Sequence, residues 1–143
     1  TQHDANLAGF VHGGVIMKII DNTAGIVASR HTQANVVTAS IDRLDFHSPV
    51  FVGDLLRIKA CINLVGKTSM EVGVRVEAEN FITGDVRHTA SAYLTFVLLD
   101  EHQHKLTVPP IVFETEDEKR RSFEAIERKK LRRVMQGKAN DKK

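Results

Sequence analysis

Gly14-Val15-Ile16-Met17-Lys18-Ile19-Ile20-Asp21-Asn22-Thr23-Ala24-Gly25-Ile26-Val27-Ala28-Ser29-Arg30 is the stretch that decides how the rest of the chain folds. Ile16, Ile20, Ala24, Val27 and Ala28 recur at helical spacing, with Val15 and Ile19 beside them. The pattern predicts a helix over residues 14–30, apolar on most of its circumference and therefore largely buried. Lys18, Asn22 and Arg30 supply its wet edge. Downstream the period changes to two. Asn35–Phe46 alternates through Val37, Ala39 and Ile41, and Asp54–Val65 follows after Ser48-Pro49-Val50-Phe51-Val52-Gly53. Lys67–Asn80 alternates through Met70, Val72, Val74, Val76 and Ala78. Val86–Asp100 places Ala90, Ala92, Leu94, Phe96 and Leu98 on one face. Gly66-Lys67 and Thr83-Gly84-Asp85 are turn signals. Four strands joined by short turns make an antiparallel sheet. With one buried helix ahead of it, the economical packing is a curved sheet wrapped around that helix. Its open edge strands predict pairing with a second copy.

The 143 residues form one domain by length. Residues 1–112 carry the helix and sheet, and 113–143 a charged extension. Leu106–Val112, with Pro109-Pro110, reads as a loop. Residues 114–135 read as a charged helix with a thin apolar stripe of Phe123, Ile126, Leu131 and Val134. Gln136–Lys143 reads as disordered, and residues 1–13 as a loop. The net charge of +2 is uneven: from Phe113 onward 11 Lys/Arg stand against 7 Asp/Glu, leaving the body at −2. A body without basic excess gives no support to nucleic-acid binding. The basic run Arg128-Lys129-Lys130-Leu131-Arg132-Arg133 is read as part of a solvated helix packed lightly on the body or on a neighbour, not as a membrane or RNA surface. Cys61 is the one cysteine, so no intramolecular disulfide forms, which agrees with a reducing compartment. No apolar run approaches the roughly 18 residues of a membrane span, and no signal-peptide pattern is present. The expected address is cytoplasmic. The chain begins at Thr1 and not at Met, which points to sequence upstream. The seven histidines are scattered without metal-ligand spacing, and no phosphate-loop or dinucleotide fingerprint occurs.

The chemistry concentrates at Asp4-Ala5-Asn6-Leu7-Ala8-Gly9-Phe10-Val11-His12-Gly13-Gly14, which runs into the helix carrying Asp21. Glycines let backbone N–H groups approach a ligand, and a helix N-terminus favours developing negative charge. A carboxylate two turns further in, among isoleucines, is costly unless it has a partner or a task. Together they suit a site that stabilises an oxyanion and activates water. Each residue also has a plainer reading. Asn6 is a turn residue. Gly13 and Gly14 allow a tight loop-to-helix junction. Asp21 sits at the edge of the apolar face. Thr38 is an ordinary strand threonine, and Gly66-Lys67-Thr68-Ser69 is a hairpin turn.

The ordered set Asp4-Ala5-Asn6, Gly9, His12-Gly13-Gly14, Met17, Asp21, Val36-Val37-Thr38, Asp45-Phe46, Pro49, Val52-Gly53-Asp54, Val65-Gly66-Lys67-Thr68-Ser69 and Leu94-Thr95-Phe96-Val97 resembles the hotdog-fold acyl-CoA thioesterases. The closest branch includes the bacterial YciA-type and the cytosolic brain-type acyl-CoA hydrolases. The resemblance runs from Asp4 to about Pro109. It implies an α+β hotdog fold, to which this chain adds a C-terminal charged helix. It implies hydrolysis of acyl-CoA to free acid and coenzyme A. Asp21 would be the general base for water, or a nucleophile giving a mixed anhydride. Asn6 would orient the water or the thioester, and the Gly13 or Gly14 backbone N–H would hold the carbonyl oxygen. Thr38 would hydrogen-bond near this pair, and His12, a residue type that can serve as a general base, would rather shape the pocket. Gly66, Lys67, Thr68 and Ser69, with Arg87 and His88 on the next strand, would face the phosphates of coenzyme A. No metal or organic cofactor is implied, since coenzyme A is part of substrate and product. Asn6 and Asp21 of one site would come from different protomers, in a homodimer at minimum and a hexamer, a trimer of dimers, as the full assembly.

Two departures stand out. The family usually has a short strand before the Asn-bearing loop, and only three residues precede Asp4. The long charged tail is not shared by every member. Three rivals remain: a non-catalytic acyl-CoA sensor on the same fold, a hotdog hydratase, and a scaffold acting through the tail. The presence of both Asn6 and Asp21 favours hydrolysis.

Overall fold

The computed structural model describes residues 2–141. A 3-10 turn, Gln2–Asp4, opens the described chain. Helix α1 follows at Gly13–Thr32, then strands β1 (Val36–Phe46), β2 (Leu55–Val65), β3 (Ser69–Glu79) and β4 (Val86–Leu98), and helix α2 (Glu116–Asp141). The strands form one antiparallel sheet in the order β1-β4-β3-β2. The sheet curves around α1 as a hotdog fold, with β1 and β2 at its edges. Element bounds differ from the sequence expectation by one or two residues, except in α2.

The core lies between one stripe of α1 and the inner face of the sheet. Ile16, Ile20, Ala24 and Ala28 are buried at four-residue spacing. They pack on Met70, Val72, Val74 and Val76 of β3 and on Ala90, Ala92, Leu94 and Phe96 of β4. The alternation expected for β3 and β4 is therefore the one observed. Alanines on the helix and on β4 keep helix and sheet close, while Ile20 and Phe96 fill the layer between them. Burying a side chain of that size contributes about 2–3 kcal/mol. Gln33 ends α1 in the left-handed conformation, with φ of 53° and its N–H donated to the Ser29 carbonyl.

Three expectations are corrected. First, α1 is not largely buried in the single chain: Met17 and Ile26 are 40% and 59% exposed, because one sheet covers one side of the helix. Second, the period of β1 slips. Val37 and Ala39 face solvent, while Val36, Thr38, Ile41 and Leu44 are half-buried. The pairing with β4 is irregular between Thr38 and Ser40 and between Ile41 and Arg43. An extra residue in a strand turns the following side chains to the other face. Third, α2 is more than lightly packed, and not through its apolar stripe: Phe123, Ile126, Leu131 and Val134 are all exposed. Instead α2 docks through buried Ala125 and two arginines of the basic run. Arg128 donates from Nε and Nη2 to the two oxygens of Glu71, at 2.9 and 2.7 Å, and lies 3.7 Å over the Tyr93 ring. Arg132 pairs with Asp42 and donates to Thr95. Bidentate guanidinium contacts fix orientation as well as position. Gln136–Asp141, expected to be disordered, continues α2. Thr1, Lys142 and Lys143 lie outside the described residues.

The connection after β4 returns across the molecule. Val108 is buried and donates its N–H to the Lys67 carbonyl, and His31 Nε2 donates to the Pro109 carbonyl at 2.8 Å.

Candidate active site

The loop ahead of α1 is held by its own backbone. Asn6 and Phe10 are bridged by the Asn6 N–H on the Phe10 carbonyl, at 2.7 Å. The Asn6 side-chain oxygen accepts the N–H groups of Ala8 and Phe10, at 3.0 and 3.2 Å. Gly9, at φ of 85°, makes that close turn possible. The plainer reading of Asn6 as a turn residue is thus correct for its carbonyl half. Its amide N–H groups have no acceptor among the described residues, so toward a ligand Asn6 acts as a donor. The loop is sewn to the β1–β2 connection by the Val11 N–H on the Val50 carbonyl, by a Phe10–Phe51 bridge, and by the edge-on packing of those two rings.

His12 caps α1. Its backbone is extended, and Nδ1 accepts the Gly14 N–H at 2.9 Å. As an acceptor, Nδ1 is unprotonated, which places the ring proton on Nε2. Gly14 is therefore already engaged within the chain. The Gly13 N–H has no acceptor among the described residues, and the ring of Phe46 lies against Gly13, with Cζ 3.5 Å from where a Cβ would stand. Of the two glycines, Gly13 offers the free donor at the positive end of the helix.

Asp21 lies half-buried on α1. Thr38 of β1 donates its hydroxyl to Asp21 Oδ1 at 2.7 Å. The bulge in β1 just after Thr38 matters here, since the strand keeps Thr38 turned toward the helix while its neighbours face out. The other carboxylate oxygen has no partner among the described residues. Asp21 and Thr38 line a groove of about 500 Å³ with Asn22, Gly25 and Phe96. Asn6 and Gly13 line a different one of about 370 Å³, with Phe46, Pro49 and Val50. Along the helix Gly13 and Asp21 are eight residues apart, about 12 Å. A single chain thus presents donors in one groove and a carboxylate in another, too far apart to act on one atom.

The residues expected around coenzyme A are also divided. Gly66-Lys67-Thr68-Ser69 is the β2–β3 turn, closed by the Gly66 N–H on the Ser69 carbonyl, with Lys67 exposed. Lys129 of α2 reaches this turn: its Nζ lies 3.0 Å from where a Gly66 Cβ would stand. No sequence signal points to that neighbour, since Gly66 and Lys129 are far apart in the chain. Arg87 sits at the other end of the sheet, where it is paired with Ala78 while Ser69 is paired with Val97. Nine residues of β3 separate the two ends, roughly 30 Å. Its guanidinium donates to Asp54 at 2.7 Å, contacts the Pro49 carbonyl and lies 5.0 Å from the Phe51 ring centre. His88 Nε2 lies 2.6 Å from Ser91 Oγ, and its ring packs tilted against that of His47, with centres 4.5 Å apart. Burial lowers the His88 pKa below the usual value of 6.5, with Arg75 and His47 acting in the same direction. Among the described residues no His, Cys, Asp and Glu cluster could hold a metal ion, and no helix is long and apolar enough to cross a membrane.

Residues 8–81 match the thioesterase superfamily. The human cytosolic acyl coenzyme A thioester hydrolase is 43% identical over 120 residues, or 82% of this chain, and the chain spans about a third of that relative's length, 32%. An apo-hexameric acyl-CoA thioesterase superposes with a TM-score of 0.91 at 39% identity, covering 94% of this chain and 86% of its own. The acyl-CoA hydrolase of Staphylococcus aureus, solved with butyryl coenzyme A, coenzyme A and coenzyme A disulfide, superposes with a TM-score of 0.88 at 34% identity, covering 98% and 85%. Alanine variants of that enzyme at one asparagine, one aspartate and one threonine have also been solved. The three positions are spaced along its chain as Asn6, Asp21 and Thr38 are along this one. In fold, in matched sequence and in the order of its polar residues, this chain belongs to the thioesterase superfamily, in the branch of hotdog-fold acyl-CoA thioesterases.

Proposed function

We propose that the protein hydrolyses acyl-CoA thioesters to free fatty acid and coenzyme A. The observation that carries this reading is the Thr38–Asp21 hydrogen bond, which fixes one carboxylate oxygen and leaves the other to a water molecule. Asp21 takes a proton from that water as its oxygen bonds to the thioester carbon. The carbonyl oxygen becomes an oxyanion, held by the Gly13 N–H and the Asn6 amide. One such donor is worth about 3 kcal/mol in the transition state. The intermediate then collapses, the carbon–sulfur bond breaks, and the proton on Asp21 passes to the departing thiolate.

The 12 Å between Gly13 and Asp21 favours a site built by two protomers, the donors from one and the carboxylate from the other. The exposed Met17 and Ile26 on α1, and the open edge of β1, are surfaces such a partner would cover. We accordingly read the active unit as a homodimer and the assembly as a hexamer, the state described for an acyl-CoA thioesterase of the same fold. Lys67, with the hydroxyls of Thr68 and Ser69, is suited to coenzyme A phosphates. Arg87, engaged by Asp54, is not brought to them by its own chain. Residues 1–112 act as the catalytic body and 113–143 as an accessory segment. A cytosolic location is supported by the human relative's description.

The test is release of free thiol from short, medium and long acyl-CoAs by wild type, Asp21→Ala and Asp21→Asn. Turnover by wild type, lost in both variants while acyl-CoA still binds Asp21→Asn, supports hydrolysis. A folded wild type that binds acyl-CoA without turnover on any chain length would make it a sensor instead.

A further inference from the structure

We propose that the outward face of α2 is a contact between two copies of this chain, made by antiparallel pairing of α2 with the same helix of a second copy. The inward face is already used: Ala125 is 1% exposed, and Arg128 and Arg132 bind Glu71 and Asp42. On the opposite side of the helix, Phe123 and Val134 are 65% and 54% exposed, flanked by Ile126 and Leu131 at 39% and 65%. A helix lying on a body in water is ordinarily polar on its outer face. Here the polarity is reversed, with charges inward and large apolar side chains outward, as for a helix awaiting a partner.

The identity of the partner is written in the seam. Phe123, Glu127, Lys130 and Val134 follow one another at intervals of four, three and four residues, the spacing of a coiled-coil interface. Pair two such helices antiparallel about the point between Arg128 and Lys129. Phe123 then faces Val134 of the partner subunit, and Glu127 faces Lys130 of the partner subunit, twice over by symmetry. Parallel pairing would set Glu127 on its own copy and Lys130 on its own copy, with like charges opposed. Among the described residues Glu127 and Lys130 are ion-paired only with each other, at 3.4 Å and half-exposed or more.

From Phe123 to Val134 the seam is about 17 Å long. That is too short for the roughly 1,200 Å² of a freestanding dimer. It suits a second contact between units already joined elsewhere, where effective concentration is high. In this respect it rests on the oligomer proposed above, and not on the thioester chemistry. Two different two-fold contacts per chain, alternating around a ring, close an even-numbered assembly, and six is among the solutions.

Sedimentation velocity on the full chain tests this with Phe123→Glu, Glu127→Lys and Lys130→Glu, all at exposed positions. Wild type should sediment as the larger assembly. Each variant should fall to about the dimer. An equimolar mixture of Glu127→Lys, which carries two cations on the seam, and Lys130→Glu, which carries two anions, should regain species larger than either forms alone. Variants that sediment like wild type would overturn the proposal, as they would if a different protein covered this face. Singles that dissociate but give no gain on mixing would overturn the antiparallel register. Thiol release on the same samples keeps the two readings apart: dissociation without any thioesterase activity leaves the contact standing and removes the chemistry.

Discussion

Thr38 Oγ1 stands 2.7 Å from Asp21 Oδ1, so strand β1 holds the carboxylate of helix α1 in a fixed rotamer. A hydrogen bond to a charged acceptor is worth about 1.5–3 kcal/mol. Thr38→Val keeps the shape and removes the donor. Because the bond aims the second carboxylate oxygen at water, kcat should fall about 10–100-fold with KM little changed. Thr38→Ser should recover most of the loss. Steady-state thiol release on the three proteins measures this, and a Val variant as fast as wild type would remove Thr38 from the reaction.

His12 is a cap before it is anything else. Its Nδ1 takes the Gly14 N–H, leaving Gly13 as the free donor of the first turn. His12→Ala should cost about 1 kcal/mol of stability, the usual value for a lost N-cap. His12→Asn supplies a side-chain oxygen to the same N–H and should restore both stability and turnover. Urea unfolding and kcat together decide it. A stable Asn variant without activity would mean that the imidazole moves a proton.

The fold was legible because burial and period agree along α1, β3 and β4. Ile16, Ile20, Ala24 and Ala28, and the alternating residues of β3 and β4, are where their spacing places them. The phase of β1 is not legible, since the bulge between Thr38 and Ser40 leaves no trace in the sequence alternation of Val37, Ala39 and Ile41 that spans it. How α2 meets the body is not legible from its apolar stripe, because charged residues make the contact. Burial of Arg128 is made tolerable by Glu71, which is 57 residues away in sequence, and no local pattern reveals that partner. For the candidate site, the residue types were legible, but that Asn6 and Asp21 would come from different protomers was implied by the family resemblance alone. No spacing in the sequence shows that the rise of α1 from Gly13 to Asp21 parts the donors from the carboxylate.

Glu71 makes α2 docking a measurable quantity. It is 5% exposed, accepts both Arg128 bonds and a third from Asn63 Nδ2 at 3.1 Å. Asn63 reaches it across Gly73, where any Cβ would stand 2.5 Å from the Asn63 amide nitrogen. Arg128→Met removes the cation and leaves the carboxylate buried, which should destabilise the protein by about 3 kcal/mol. Arg128→Met with Glu71→Leu removes both charges and should lose much less. Hydrogen exchange should show α2 unprotected in the single variant while β3 and β4 stay protected. Equal stability for the single and double variants would mean that the ion pair does not hold the helix.

His88 should set part of the acid limit of the fold. In the folded protein its ring is neutral, with burial keeping its pKa below 6.5, and Arg75 and His47 adding to that shift. Unfolded, it takes up a proton near 6.5. Between the two values the unfolded chain binds more protons, so stability rises with pH there. The contribution of His88 is complete above about pH 6.5 and is lost as pH falls through the folded value. Glu77, whose pKa is lowered by hydrogen bonds from Arg75 and Lys59, acts in a separate and more acid window, below its ordinary 4.5. His88→Gln keeps a neutral polar ring-sized group beside Ser91 and cannot titrate. Its unfolding free energy should therefore be flatter than that of wild type as pH falls below about 6.5. Parallel profiles across pH 7 to 5 would show that His88 titrates alike in the folded and unfolded chain, and that the acid limit of this fold lies with its carboxylates.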